Sequence, residues 1–253
     1  MSKNFSKAPA ILSPFIANRM FGWEPLNITK KMNLRDFEKG HAYPICSSIE
    51  CHECDLLFLD LRFHSDDLDR YYSGYQTEEF FQQRERFEES FAKRRTKSFK
   101  SGSGIVSGYF CKLPEVERFI SSSNFIPKSI LDYGGGDGTG TPFNKISEVL
   151  HIFDVDTKNL KYGNPVDIKA IYKNNYDLIL VRNVIEHVSY PDKILETINK
   201  ICLNKTLVYI EVPREKFLDQ YPPRKRARNK IIWHEHINFY EEKSLRALVK
   251  RMG

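Results

Sequence analysis

The stretch Asp132-Tyr133-Gly134-Gly135-Gly136-Asp137-Gly138 constrains the fold of this chain more than any other. It continues Ser129-Ile130-Leu131-Asp132-Tyr133, a short apolar run of the kind that forms a buried strand. Three consecutive glycines lose much backbone freedom on ordering, so such a turn belongs where the chain reverses sharply or a ligand approaches closely. A helix is expected to follow. A dinucleotide fingerprint needs glycines at i, i+2 and i+5, but the third position is Thr139 counting from Gly134 and Thr141 counting from Gly136. A phosphate loop fails as well, because no Gly-Lys-Ser/Thr follows.

Further strands are expected at Val149 to Asp154, Tyr176 to Val181 and Thr206 to Val212. Between the last two, Ile194, Leu195, Ile198 and Ile201 mark one face of a helix that Pro191 and Asp192 can open. Short apolar strands alternating with helices predict an α/β fold, a doubly wound and mostly parallel sheet covered on both faces. Ahead of it, residues 1–100 read as an extension: a cysteine-containing segment over 46–63, then a helix with Phe80, Phe81, Phe87 and Phe91 on one side. Ser101-Gly102-Ser103-Gly104 is the expected joint, and residues 105–253 the core. The chain of 253 residues is long enough for this arrangement. Its net charge of +6 is too weak alone to imply nucleic acid, no apolar run is long enough to span a bilayer, and five scattered cysteines suggest a reducing cytoplasm.

Asp132-x-Gly134-x-Gly136-x-Gly138 resembles the first motif of class I S-adenosylmethionine-dependent methyltransferases, and the resemblance runs over residues 105–253. It implies a Rossmann-like sheet and S-adenosylmethionine as cofactor. Asp132, Gly134, Gly135, Gly136 and Gly138 would wrap its methionine part. Asp154, 18 residues after Gly136, would hold the ribose hydroxyls, with Asp156 in reserve. A carboxylate suits vicinal hydroxyl donors. Asn183-Val184-Ile185-Glu186-His187-Val188 resembles the family's segment after the next strand, so Asn183, Glu186 and His187 are further cofactor candidates. For Glu186 a plain helix-start role weighs equally.

Trp233-His234-Glu235-His236 resembles the His-Glu-His segment of bacterial deoxysugar C-methyltransferases, with Trp233 where those enzymes carry tyrosine. The resemblance implies His236 as the base, helped by Glu235 and His234, acting on a small sugar or nucleotide-sugar acceptor. A histidine titrates near neutrality, which suits removal of the acceptor's proton. Cys46, Cys51 and Cys54 resemble half of the zinc ribbon that precedes many such enzymes. A ribbon that has lost its metal is the preferred reading; zinc held by these cysteines with His41 is the alternative. Cys111 and Cys202 read as core residues. Basic runs over 93–100 and 224–230 suit a phosphate-bearing acceptor better than RNA, for which no module is recognisable. The family's sheet ends with two further strands after the helix expected at 241–251, so the core is expected to lack them. A non-catalytic binding protein on the same fold is the competing reading.

Overall fold

A computed structural model describes residues 4–23, 46–75, 77–88, 91, 113–122, 124–158 and 160–252. The expected joint at 101–104, the basic run at 93–100, His41 and Cys111 lie outside them. Ten strands occur among the described residues: β1 (Phe5–Leu12), β2 (Cys46–Cys51), β3 (Leu57–Leu59), β4 (Ser129–Tyr133), β5 (Val149–Phe153), β6 (Asn164–Pro165), β7 (Leu178–Arg182), β8 (Leu207–Glu211), β9 (Ile232–Trp233) and β10 (Asn238–Phe239). Two compact units emerge, and they do not follow a division at 101–104. One comprises Met1–Ser73, Asn183–Glu196 and Val212–Gly253; the other comprises Gly74–Arg182 and Thr197–Glu211.

The second unit holds a parallel sheet in the order β6-β5-β4-β7-β8. Every residue of β7 is buried, as a strand covered on both faces requires. Ile130, Leu150, Ile152, Leu178 and Leu180 pack with Val116 and Ile120 of the helix Leu113–Ser121 and with Phe143. The chain leaves β4 for β5 and β6 on one side and returns to β7 and β8 on the other. The topological switch therefore falls between β4 and β7, where a doubly wound sheet opens a crevice at its carboxyl ends. The helix expected after the glycine loop is absent; residues 134–148 run through turns and bends. Gly138, Gly140 and Pro142 are poor helix formers, Pro142 pushes Thr141 away from helical geometry, and Phe143 takes a left-handed φ of 62°. Of the aromatic helix expected before the joint, Glu78–Phe87 is helical, capped by Thr77 with Phe80 buried, and Phe91 lies beyond its end.

The first unit holds a mixed sheet in the order β10-β3-β2-β1-β9. β1 pairs antiparallel with β2 and parallel with β9, while β3 pairs antiparallel with β2 and β10. The amino-terminal strands are thus built into one sheet with residues 232–239 rather than set apart as an extension. Residues 46–51 alternate inward and outward along β2, and that pleat bears on the cysteines. Cys46 and Cys51 sit at opposite ends of β2 and on opposite faces, about 17 Å apart at ordinary strand rise. The Cys46 thiol donates to the Ala10 carbonyl at 3.2 Å, and burial, then Asp60, pushes its pKa up to about 12. Cys46, Cys51 and Cys54 therefore cannot share one zinc ion. All four described cysteines are free thiols.

Two inward positions of β2 are polar. Ser48 accepts from the Trp233 indole at 2.6 Å and donates to the Lys230 carbonyl. Glu50, fully buried, accepts from the backbone N–H groups of Arg224, Arg226 and Ala227 at 2.8, 3.1 and 3.4 Å. This carboxylate closes the start of the short helix Arg226–Asn229. Replacing Glu50 by alanine orphans two buried donors and one half-buried one, so Glu50→Ala is expected to lose about 2–4 kcal/mol of unfolding free energy in urea titrations. A loss under about 0.5 kcal/mol would show that the carboxylate does not hold this segment.

Candidate functional site

The glycine loop lies at the carboxyl end of β4 in the parallel sheet. Gly134 donates to the Phe153 carbonyl at 2.7 Å, tying the start of the loop to β5. Gly136 has a left-handed φ of 58° and open space where a side chain would stand, so a ligand can approach the backbone there. Its N–H donates to Asp154 at 2.8 Å, while the other Asp154 oxygen accepts from the Asp156 N–H at 3.1 Å. The acid expected to meet the ribose thus follows β5 directly and touches the loop. Asp156 is joined to it through its backbone N–H.

Asp132 works from beneath. It is 3% exposed, accepts from the Thr141 hydroxyl at 2.6 Å, and leaves no room for a side chain at Gly135. Its part is to set the shape of the loop rather than to present a carboxylate to solvent. Arg182, buried at the end of β7, donates to the Gly140 carbonyl at 2.7 Å and pairs with Glu211 at 2.9 Å. Thr141 and Arg182 escaped the sequence reading. Only the placement of Thr141 nine residues after Asp132 by a turn, instead of a helix, reveals them.

In the first unit, Asn183 has a left-handed φ of 55°, and its buried Nδ2 has no hydrogen-bond partner. The Glu186 carbonyl accepts from the N–H groups of Ile237 and Asn238 at 2.8 and 3.1 Å. The Asn238 amide donates to the carbonyls of Ile185 and Val188, and its oxygen accepts from Arg62. These bonds bring Glu186 and His187 beside the His-Glu-His segment, so Asn238 is a structural clamp the sequence did not announce. The rings of His187 and His236 stand edge to face with centroids 4.5 Å apart, and those of His234 and His236 are 5.2 Å apart.

The partner of His236 is a second departure from expectation. Its Nδ1 bonds to the carboxylate of Glu215, not to the adjacent Glu235. Burial works against charge on His236, but the Glu215 bond and the carboxylates of Glu235, Glu215 and Glu186 outweigh it and raise its pKa. Glu215 is correspondingly lowered: burial opposes the charge, and the bond to His236 overcomes it. Glu235 lies 3.5 Å from His234 Nδ1, and its carbonyl takes the Nδ1 of His187 at 3.3 Å. Burial, then His236, pushes His187 down to about 3, so it is a neutral ring. His234 accepts from the His236 N–H at 3.3 Å and is held low chiefly by burial.

The basic run before this segment divides in two. Arg224, Lys225 and Arg228 are exposed. Arg226 is buried, donating to the Tyr221 and Leu218 carbonyls and pairing with Glu241 at 2.6 Å. Lys230 is buried with Nζ 4.7 to 5.4 Å from the ring centres of Phe239, Trp233 and Phe217. Burial lowers its pKa to about 8. Two of the five cations therefore serve the fold and are closed to an acceptor.

Burial, opposed by Thr141 and Arg182, raises Asp132 to about 6 from an ordinary 3.8. A raised carboxylate favours the folded state while protonated, so its contribution is complete below about pH 4 and is lost as pH rises through about 6. Asp132→Asn keeps an acceptor for Thr141 and removes the titration. The fall in stability between pH 4 and 7 is expected to shrink by up to about 3 kcal/mol in the variant, read from urea midpoints across that range. Parallel curves for the two proteins would refute this assignment.

No curated protein matches this chain significantly. Among solved structures, the plantazolicin methyltransferase BpumL in complex with SAH is 16% identical, with 72% of each chain covered and a TM-score of 0.45. The plantazolicin methyltransferase BamL, in complex with a triazolic desmethylPZN analog and SAH, is 14% identical over 64% of this chain and 67% of that one, at 0.42. The N-terminal domain of EvdMO1, in the presence of SAH and D-fucose, is 14% identical over 56% and 72%, at 0.36. The methyltransferase-domain family model matches residues 107–253, more than half of the chain. With its glycine loop at the carboxyl end of the central parallel strand, the chain belongs to the methyltransferase domain family.

Proposed function

We propose that this protein transfers a methyl group from S-adenosylmethionine to a small acceptor bearing a hydroxyl or an acidic carbon, and that His236 removes the acceptor's proton. The observation that carries the reading is the junction of Gly136 and Asp154: an open, left-handed glycine whose N–H bonds to the acid following β5. The residues present fit the cofactor. The loop offers backbone at close approach, and Asp154 offers acceptor oxygens for vicinal hydroxyls. When bound, S-adenosylmethionine supplies an electrophilic methyl on a sulfonium sulfur. Gly134, Gly135, Gly136 and Gly138 shape the cradle, Asp132 fixes it from below, and Asp156 steadies Asp154.

The proton is the chain's other task. As the acceptor's oxygen or carbon bonds to the methyl, its proton passes to Nε2 of His236, whose Nδ1 proton points to Glu215. Glu215 orients this ring; Glu235 and His234 complete its surroundings. Arg224, Lys225 and Arg228, exposed together, favour an acceptor that carries phosphate, such as a nucleotide-sugar.

Two measurements test the reading. Calorimetric titration with S-adenosylhomocysteine is expected to show binding that Asp154→Ala weakens about 10- to 100-fold, the worth of hydrogen bonds to a charged group. No binding by well-folded protein would make this a methyltransferase-fold protein without turnover. With a labelled methyl donor and candidate nucleotide-sugars, His236→Ala is expected to lower turnover about 10²- to 10⁴-fold while S-adenosylhomocysteine affinity stays unchanged. Unchanged turnover would remove His236 as the base.

A further inference from the structure

We infer that Glu186, His187 and His236 form a binding site for one divalent first-row transition-metal ion. This goes beyond methyl transfer and does not depend on it. One donor atom from each of the three lies within 4.8 Å of the other two. Glu186 Oε1 is 3.8 Å from His187 Nε2, and the His187 and His236 rings meet nearly at right angles, at 84°. Two imidazoles and one carboxylate make a donor set suited to iron, cobalt, nickel or zinc, with coordination positions left open for water or an acceptor oxygen.

The orientation of the two rings is the independent observation. The Glu235 carbonyl and the Glu215 carboxylate can only accept, so each must take an N–H from the Nδ1 it faces. In the neutral form of each ring this puts the proton on Nδ1 and leaves Nε2 with its lone pair for a metal. Metal-bound histidines are held in this way, with the far ring nitrogen donating to a carbonyl or carboxylate. The framework is equally defined. Glu186 and His187 are adjacent in the chain, and His236 is brought to them by the two backbone bonds from Ile237 and Asn238 to the Glu186 carbonyl. An ion among the three would set its charge beside the buried Glu186 carboxylate. It would also occupy the His236 lone pair that proton removal uses, so the ion-bound and base forms of His236 exclude each other.

The test is a titration of the full-length, metal-free protein with Co²⁺ in the absence of cofactor, followed by visible absorption. Expected are d–d bands that saturate at one equivalent, without the near-ultraviolet thiolate band a cysteine site would give. His187→Ala, folded by circular dichroism, is expected to weaken binding at least about 10-fold. Glu215→Gln, which leaves all three ligands in place, is expected to weaken it about 10- to 100-fold through the lost orientation of His236. The inference is overturned by an absence of saturable bands, by binding that survives His187→Ala or Glu215→Gln unchanged, or by a thiolate band abolished in a Cys51→Ser/Cys54→Ser protein. Protein that binds S-adenosylhomocysteine but not Co²⁺ would sink the metal site alone; the converse would sink the methyl-donor reading alone.

Discussion

A single buried carboxylate, Glu50, governs the arrangement of the first unit. Carrying a charge into the interior of a sheet is costly unless every oxygen is answered. Here three backbone N–H groups from residues 224–227 answer it, and the chain segment that supplies them is thereby fixed against β2. Everything after that segment inherits its position. Lys230 is set among three aromatic rings, Trp233 reaches Ser48, and β9 pairs with β1. The His234-Glu235-His236 segment then emerges between β9 and β10 with both ends anchored in the sheet. A catalytic or ligand-binding histidine held this way has little freedom to drift, which is what precise proton or metal chemistry demands.

In the second unit the same logic appears on a smaller scale. The glycine loop has few side chains of its own, so its shape comes from polar groups behind it. Asp132 grips Thr141, Arg182 grips Gly140, and Asp154 grips Gly136. Backbone flexibility, which makes glycine useful near a ligand, would otherwise cost affinity, because ordering the loop on binding would consume part of the interaction energy. Preorganisation by buried neighbours offsets that cost.

The histidine cluster shows how chemistry depends on tertiary partners. His234, Glu235 and His236 are neighbours in sequence, and adjacency suggests that Glu235 serves His236. Residue 235 lies in a bend between β9 and β10, and its carboxylate stands 3.5 Å from His234 Nδ1. The carboxylate that meets His236 comes instead from Glu215, 21 residues earlier, while Glu235 contributes its carbonyl to His187. Strand alternation, with side chains turning to opposite faces, separates Cys46 from Cys51 along β2 and rules out a shared zinc ion.

The sequence by itself determined the parallel core. β4, β5, β7 and β8 fall where apolar runs bounded by polar residues placed them, and the helix Pro191–Ile201 falls where the spacing of Ile194, Leu195, Ile198 and Ile201 set it. Local burial period and glycine spacing are properties of a short window, so they are readable there. Tertiary structure alone decided the rest. It built residues 5–12 and 46–59 into one sheet with residues 232–239 and buried Arg226 and Lys230. It also gathered Glu186, His187, Glu215 and His236. Those outcomes rest on pairings between residues tens to more than two hundred positions apart. Their energies come from burial and hydrogen bonding that no local window contains.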